Sequence, residues 1–119
     1  MLVCANNGNF PAEDAEQLKA ALNAACGEIW LGEGTESYPG IAIRCCEDGA
    51  SINYFESEGG TAYVSVGDRK KHGTTDVNID GEMYQLYRGQ IVPQEKILDI
   101  AVEFMNDMKL PACVEWEKI

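Results

Sequence analysis

Between Ile41 and Val66 three short strand-like stretches are separated by two tight turns, and this pattern constrains the fold most. Ile41–Cys46 is apolar apart from Arg44. Ser51–Glu56 alternates, with Ile52 and Tyr54 in phase, and Thr61–Val66 is rich in β-branched and aromatic residues. Glu47-Asp48-Gly49 supplies one hairpin turn and Ser57-Glu58-Gly59-Gly60 the other. Stretches joined so closely pair antiparallel, because a parallel pair needs a long crossover. The expected core of the fold is therefore an antiparallel meander.

Two helices flank it. Asn9-Phe10-Pro11 reads as a helix entry with Glu13 and Asp14 in the first turn. Ala15, Leu18, Leu22 and Ala25 then form one apolar stripe, ended by Gly27. The helix is expected over 11–26, followed by a short apolar step at Trp30-Leu31. The second helix, over 93–109, opens at Pro93. It carries Ile97, Ala101, Phe104, Met105 and Met108 on one face and Asp99, Glu103 and Asn106 on the other. Val77 and Ile79 alternate with polar residues, Met83–Tyr87 reads as a further strand, and Cys113–Glu117 as the last. The expected order is α-β-β-β-(β)-β-α-β. At 119 residues and without a repeat or linker, residues 1–119 are read as one α+β domain, an antiparallel meander carrying two helices.

Twenty acidic residues against nine basic ones give a net charge of −11. The imbalance is concentrated in residues 1–60, which hold ten acids and two bases. Such a surface repels nucleic acid and anionic membrane, and neither is expected as a partner. The one basic cluster, Asp68-Arg69-Lys70-Lys71-His72-Gly73, reads as a solvated loop in preference to a phosphate site. The five cysteines, Cys4, Cys26, Cys45, Cys46 and Cys113, are odd in number and include no CxxC. They read as reduced core thiols. Met1-Leu2-Val3-Cys4 has no basic region before its apolar residues, so a secretory signal is not expected and the chain is placed in the cytoplasm.

Patterns that carry chemistry are scarce. His72 is the single histidine. No spacing matches a zinc site, a nucleotide-binding glycine motif or a hydrolase elbow, so neither a catalytic residue nor a metal or other cofactor is assigned. The acid pair Glu56/Glu58 could in principle serve a glycosidase, but a charged hairpin tip accounts for it better. The expectation is a binding protein.

The C-terminal stretch points to a family. Ala101, Phe104 and the run Pro111-Ala112-Cys113-Val114-Glu115-Trp116 resemble the closing signature of immunity protein family 1 of bacterial polymorphic toxin systems. Gly59-Gly60-Thr61-Ala62-Tyr63-Val64 is similar to that family's glycine turn and aromatic strand. One departure is Met108, where the family usually has a glycine three residues before the proline. The resemblance implies a stoichiometric inhibitor of one cognate toxin, a basic domain such as a nucleic-acid deaminase or nuclease. It makes Phe104 and Trp116 structural residues that pack helix on sheet.

From charge and position, the expected partner-binding residues are Glu33, Glu36 and Tyr38 in the loop, Glu47 and Asp48 in the first hairpin turn, and Glu56 and Glu58 in the second. Trp30 is equally a core or an interface residue on sequence alone. The chain is expected as a monomer or weak homodimer. The alternative is an acidic cytosolic interaction or ligand-binding module unrelated to toxins.

Overall fold

Each alternating stretch is a strand and each apolar stripe a helix in the computed structural model, which describes residues 1–119. A hairpin of β1 (Leu2–Ala5) and β2 (Gly8–Pro11) leads into α1 (Ala15–Ala24). Strands β3 (Ile29–Gly32), β4 (Gly40–Cys46), β5 (Gly49–Phe55) and β6 (Ala62–Val66) follow. A second hairpin, β7 (Thr74–Ile79) and β8 (Glu82–Tyr87), is joined through a 3-10 turn to the short β9 (Ile91–Val92). Helix α2 (Gln94–Asp107) and β10 (Glu115–Lys118) end the chain. The main sheet runs β10-β6-β5-β4-β3-β1-β2, with β9 beside β5, while β7 and β8 form a separate pair. The α+β class and the antiparallel meander are as expected.

Pleating assigns the two faces of the sheet. Ile41 lies opposite Tyr54 and Ile43 opposite Ile52, and these four face the helices. Val3, Ile29, Leu31, Ala50 and Val92 extend that apolar layer. Onto it pack Leu18 and Ala21 from α1 and Ile97, Ile100, Ala101 and Phe104 from α2. Phe104 is fully buried and meets the Tyr54 ring edge-on, with centroids 6.2 Å apart. The other face carries Trp30, Ala42, Arg44, Ser51, Asn53 and Val64 in register. The β7–β8 hairpin lies over part of it: the Arg44 guanidinium sits 5.2 Å from the Tyr84 ring centroid, and Ile79 and Leu86 are buried. The hairpin tip reaches Gly27, where φ is +78° and any side chain would collide with Asp80.

Several boundaries differ from the sequence reading. Pro11 closes β2 and does not open the helix. Asp14 is the N-cap, its Oδ1 accepting the Gln17 N–H at 2.8 Å while Gln17 Oε1 accepts the Glu13 N–H at 2.8 Å. The β1–β2 turn then caps the far end of α1, since Asn7 accepts the Cys26 N–H at 2.9 Å and donates to the Ala24 carbonyl at 2.8 Å. Trp30-Leu31 is a full strand between β1 and β4. Trp116 is half-buried, with its indole N–H donated to the Pro111 carbonyl at 2.6 Å. Met108 ends α2 in the left-handed conformation, φ 55° and ψ 32°, which is the geometry a glycine supplies most readily.

One edge of β5 is shared. β6 pairs with its Asn53–Phe55 half and β9 with Ala50 and Ser51. At the seam the fully buried Ser65 accepts the Ile52 N–H at 3.0 Å and donates to the Gln90 carbonyl at 2.7 Å. Ser65→Ala leaves both backbone groups without a partner and is expected to cost about 2 kcal/mol in urea unfolding. A loss below about 0.5 kcal/mol would remove the seam from the fold's essential contacts.

A second tether crosses from α2. Glu103 accepts the Ala112 N–H at 2.6 Å and the Cys113 N–H at 3.2 Å, and these bonds hold its carboxyl below the ordinary 4.5. A pKa lowered by folding stabilises the native state above the ordinary value, and that contribution disappears as the pH falls through the folded value. Glu103→Gln is therefore expected to be less stable than the parent at neutral pH, with the gap closing on acidification below pH 4.5. A gap constant from about pH 7 to pH 3 contradicts this.

Candidate partner-binding surface

Gly40 at the start of β4 lies opposite Phe55 at the end of β5. The loop entering β4 and the turn leaving β5 must therefore emerge at the same end of the sheet. Together they enclose a cleft of about 600 Å³ lined by Leu31, Gly34, Thr35, Glu36, Ser37, Tyr38 and Glu58 with Cys4 and Trp30. Ser37 braces the loop, its hydroxyl accepting the Gly34 N–H and donating to the Gly34 carbonyl, both at 3.0 Å. Tyr38 remains 43% exposed and Trp30 36%.

Trp30 is fixed despite its exposure. Its ring stacks on Phe55, with centroids 5.5 Å apart and planes 23° from parallel. Its indole N–H is donated to Glu28 Oε1 at 2.8 Å, and Glu28 Oε2 accepts Arg44 Nε at 2.6 Å. A line of contacts thus runs Phe55–Trp30–Glu28–Arg44–Tyr84 across this face, from the open end to the covered one. The exposure of Trp30 follows from its register. It is out of phase with Ile29 and Leu31, both buried, so a period-two reading of β3 turns it outward.

The structure divides the expected binding residues between two ends. Glu36, Tyr38 and Glu58 line the cleft, and Glu33 and Glu56 are exposed on the same two segments. Glu47 and Asp48 lie at the opposite end of β4, a seven-residue strand about 20 Å long. There Asp48 shares a small depression of about 220 Å³ with Lys71, His72, Arg88 and Ile91. The basic loop is exposed as expected. Arg69 pairs with Glu115 at 2.8 Å and Glu117 at 3.4 Å, which raises the Arg69 pKa and lowers that of Glu115.

No family model matches the chain, and no curated protein matches it.

The cysteines correct one expectation. All five are free, but none is fully buried: Cys26 and Cys45 are exposed and Cys4, Cys46 and Cys113 half-buried. Cys4 lies in β1 opposite Trp30, Cys26 just beyond α1, Cys45 and Cys46 at the end of β4, and Cys113 in the turn before β10, packed against the edge of the core. Burial raises the Cys4 thiol pKa, so it borders the cleft as a neutral, weakly polar group. Burial, reinforced by the Glu103 carboxylate, pushes Cys113 up to about 11. No set of three or more His, Cys, Asp or Glu side chains is placed to hold a metal ion, and no helix is long and apolar enough to cross a membrane. Alkylation by iodoacetamide at neutral pH is expected to modify exposed Cys26 first and Cys113 last, as followed by peptide mass spectrometry. Equal rates at the two sites would refute the assignment.

Proposed function

We propose that the chain is an immunity protein that neutralises a basic, nucleic-acid-acting toxin domain by stoichiometric binding at its acidic end. One observation carries the reading. The acids of the 33–38 loop and the 56–60 turn converge on one open end of the sheet, beside two exposed aromatic rings. A toxin that acts on DNA or RNA holds phosphates with lysine and arginine. An acidic end competes for those side chains and steers the encounter, while Trp30 and Tyr38 supply the packed area that exposed charges lack. The likeness of the Ala101–Trp116 stretch to an immunity family supports the same reading. A cleft of this volume also falls in the range of small-molecule sites, which keeps a ligand-binding module as the second reading.

The test uses the product of the gene immediately upstream, mixed with the purified chain. The expected result is inhibition of a nucleic-acid-modifying activity that is complete at one equivalent. E33K/E36K and E56K/E58K are each expected to slow association about tenfold at low salt and to flatten its salt dependence. E47K/D48K, altered at the far end, is expected to associate like the parent. Absence of inhibition, or equal association by every variant at both salts, removes the proposal.

A further inference from the structure

We infer that the cleft between Trp30 and Tyr38 is a receptacle for an arginine side chain presented by the partner. The inference rests on the docking proposal and names the chemistry that occupies its centre. The cleft is lined by two aromatic residues and two carboxylates, those of Glu36 and Glu58, and by no basic side chain. Neither carboxylate has a hydrogen-bond or ion-pair partner within the chain, in contrast to Glu28, Glu103, Glu115 and Glu117. An aromatic wall beside an unpaired carboxylate suits a cation better than a neutral or anionic group. Among cations, guanidinium fits best, because it is planar, stacks on an aromatic face and donates two parallel hydrogen bonds to one carboxylate.

The same sheet face already holds one guanidinium in this way. Arg44 donates to Glu28 at 2.6 Å and lies over the Tyr84 ring at 5.2 Å. Glu28 in turn holds the Trp30 indole N–H, and Phe55 covers one face of the indole without lining the cleft. The indole is thus locked before any ligand arrives, which reduces the ordering cost of binding. Cys4 is a neutral thiol at the border and offers no competing charge.

The experiment needs no toxin. A capped Gly-Arg-Gly peptide is titrated into the isotopically labelled chain while the two tryptophan indole N–H resonances are followed. Trp116, bonded to the Pro111 carbonyl, serves as the internal control. The expected result is a saturable shift of the Trp30 signal with Trp116 unmoved. The lysine peptide should bind several-fold more weakly, and the citrulline peptide, which keeps the planar shape without the charge, should leave Trp30 unmoved. E36Q/E58Q and Tyr38→Ala are each expected to weaken the arginine peptide about two- to fivefold, and E47Q/D48N not at all. Equal shifts with arginine and citrulline, no saturable shift, or retention of full affinity in E36Q/E58Q would overturn the inference. Failure of the upstream gene product to bind would overturn the immunity reading while leaving the peptide titration to stand on its own result.

Discussion

The hydroxyl of Ser65 joins three backbone segments, β6, β5 and the turn before β9, at the point where the ladder along β5 changes partner. β5 is paired with β4 along its whole length on one edge, and its other edge changes partner from β6 to β9 at Ile52. A main-chain ladder cannot serve both partners at the point of exchange. The serine accepts from Ile52 and donates to Gln90, and the exchange leaves no buried side-chain group unpartnered. The consequence is architectural. Because β6 leaves the ladder at that point, the chain is released into the β7–β8 hairpin and returns as β9 beside the same strand. The hairpin covers the sheet face at Arg44 and leaves the Trp30 end open. The position of the candidate site therefore depends on a seam at some distance from it.

Much of this was legible in the sequence because local chemistry and tertiary structure agree there. Asp48-Gly49 and Gly59-Gly60 specify turns, and Gly49 in particular has φ +148° and no room for a side chain against the Val92 carbonyl. The Ile97, Ala101 and Phe104 stripe is buried as its spacing requires. What the sequence hid was mostly non-local. Pro11 satisfies the statistics of a helix start, yet it pairs with Leu2 in a hairpin whose partner is visible only once the chain has folded back. The placement of β7–β8 over the second face depends on Tyr84 meeting Arg44 and Asp80 meeting Gly27, contacts between residues some forty to fifty positions apart. Met108 shows the reverse case. Its left-handed backbone costs a non-glycine residue about 1–2 kcal/mol, and its side chain offsets part of that by packing on the core.

The residues expected to bind a partner illustrate a rule of meanders. Successive turns lie at alternate ends of the sheet, so turns adjacent in sequence are separated in space while every second one is brought together. The loop before β4 and the turn after β5 meet at Gly40 and Phe55, and the turn between them lies a strand's length away. Acids clustered in the sequence therefore do not form one patch. Glu33, Glu36, Glu56 and Glu58 share an end, whereas Asp48 sits among Lys71, His72 and Arg88. The four acids at one end of β4 have no basic side chain in the cleft they border, whereas Asp48 at the other end lies beside the basic loop. On the proposed reading, a cationic partner would meet carboxylates without competing bases at the first end and a mixed-charge surface at the second.

Orientation alone does not hold a complex together. Exposed carboxylates are solvated, and each surface ion pair contributes at most about 1 kcal/mol, less as salt rises. Residence must come from area that is removed from water, and at this end that area is aromatic. Phe55 on one side and Glu28 on another fix Trp30, so burying it costs little side-chain entropy. Tyr38 stands between Ser37, which is tied to Gly34, and Pro39, so its backbone is similarly restrained. On the proposed reading, two rings held in place beside unpaired carboxylates would divide the work: charge would set how fast a basic partner arrives, and the rings how long it stays. Water opposes the exposure of aromatic rings, and here two of them lie exposed at the end of the sheet that Glu33, Glu36, Glu56 and Glu58 share, the juxtaposition on which the proposed reading rests.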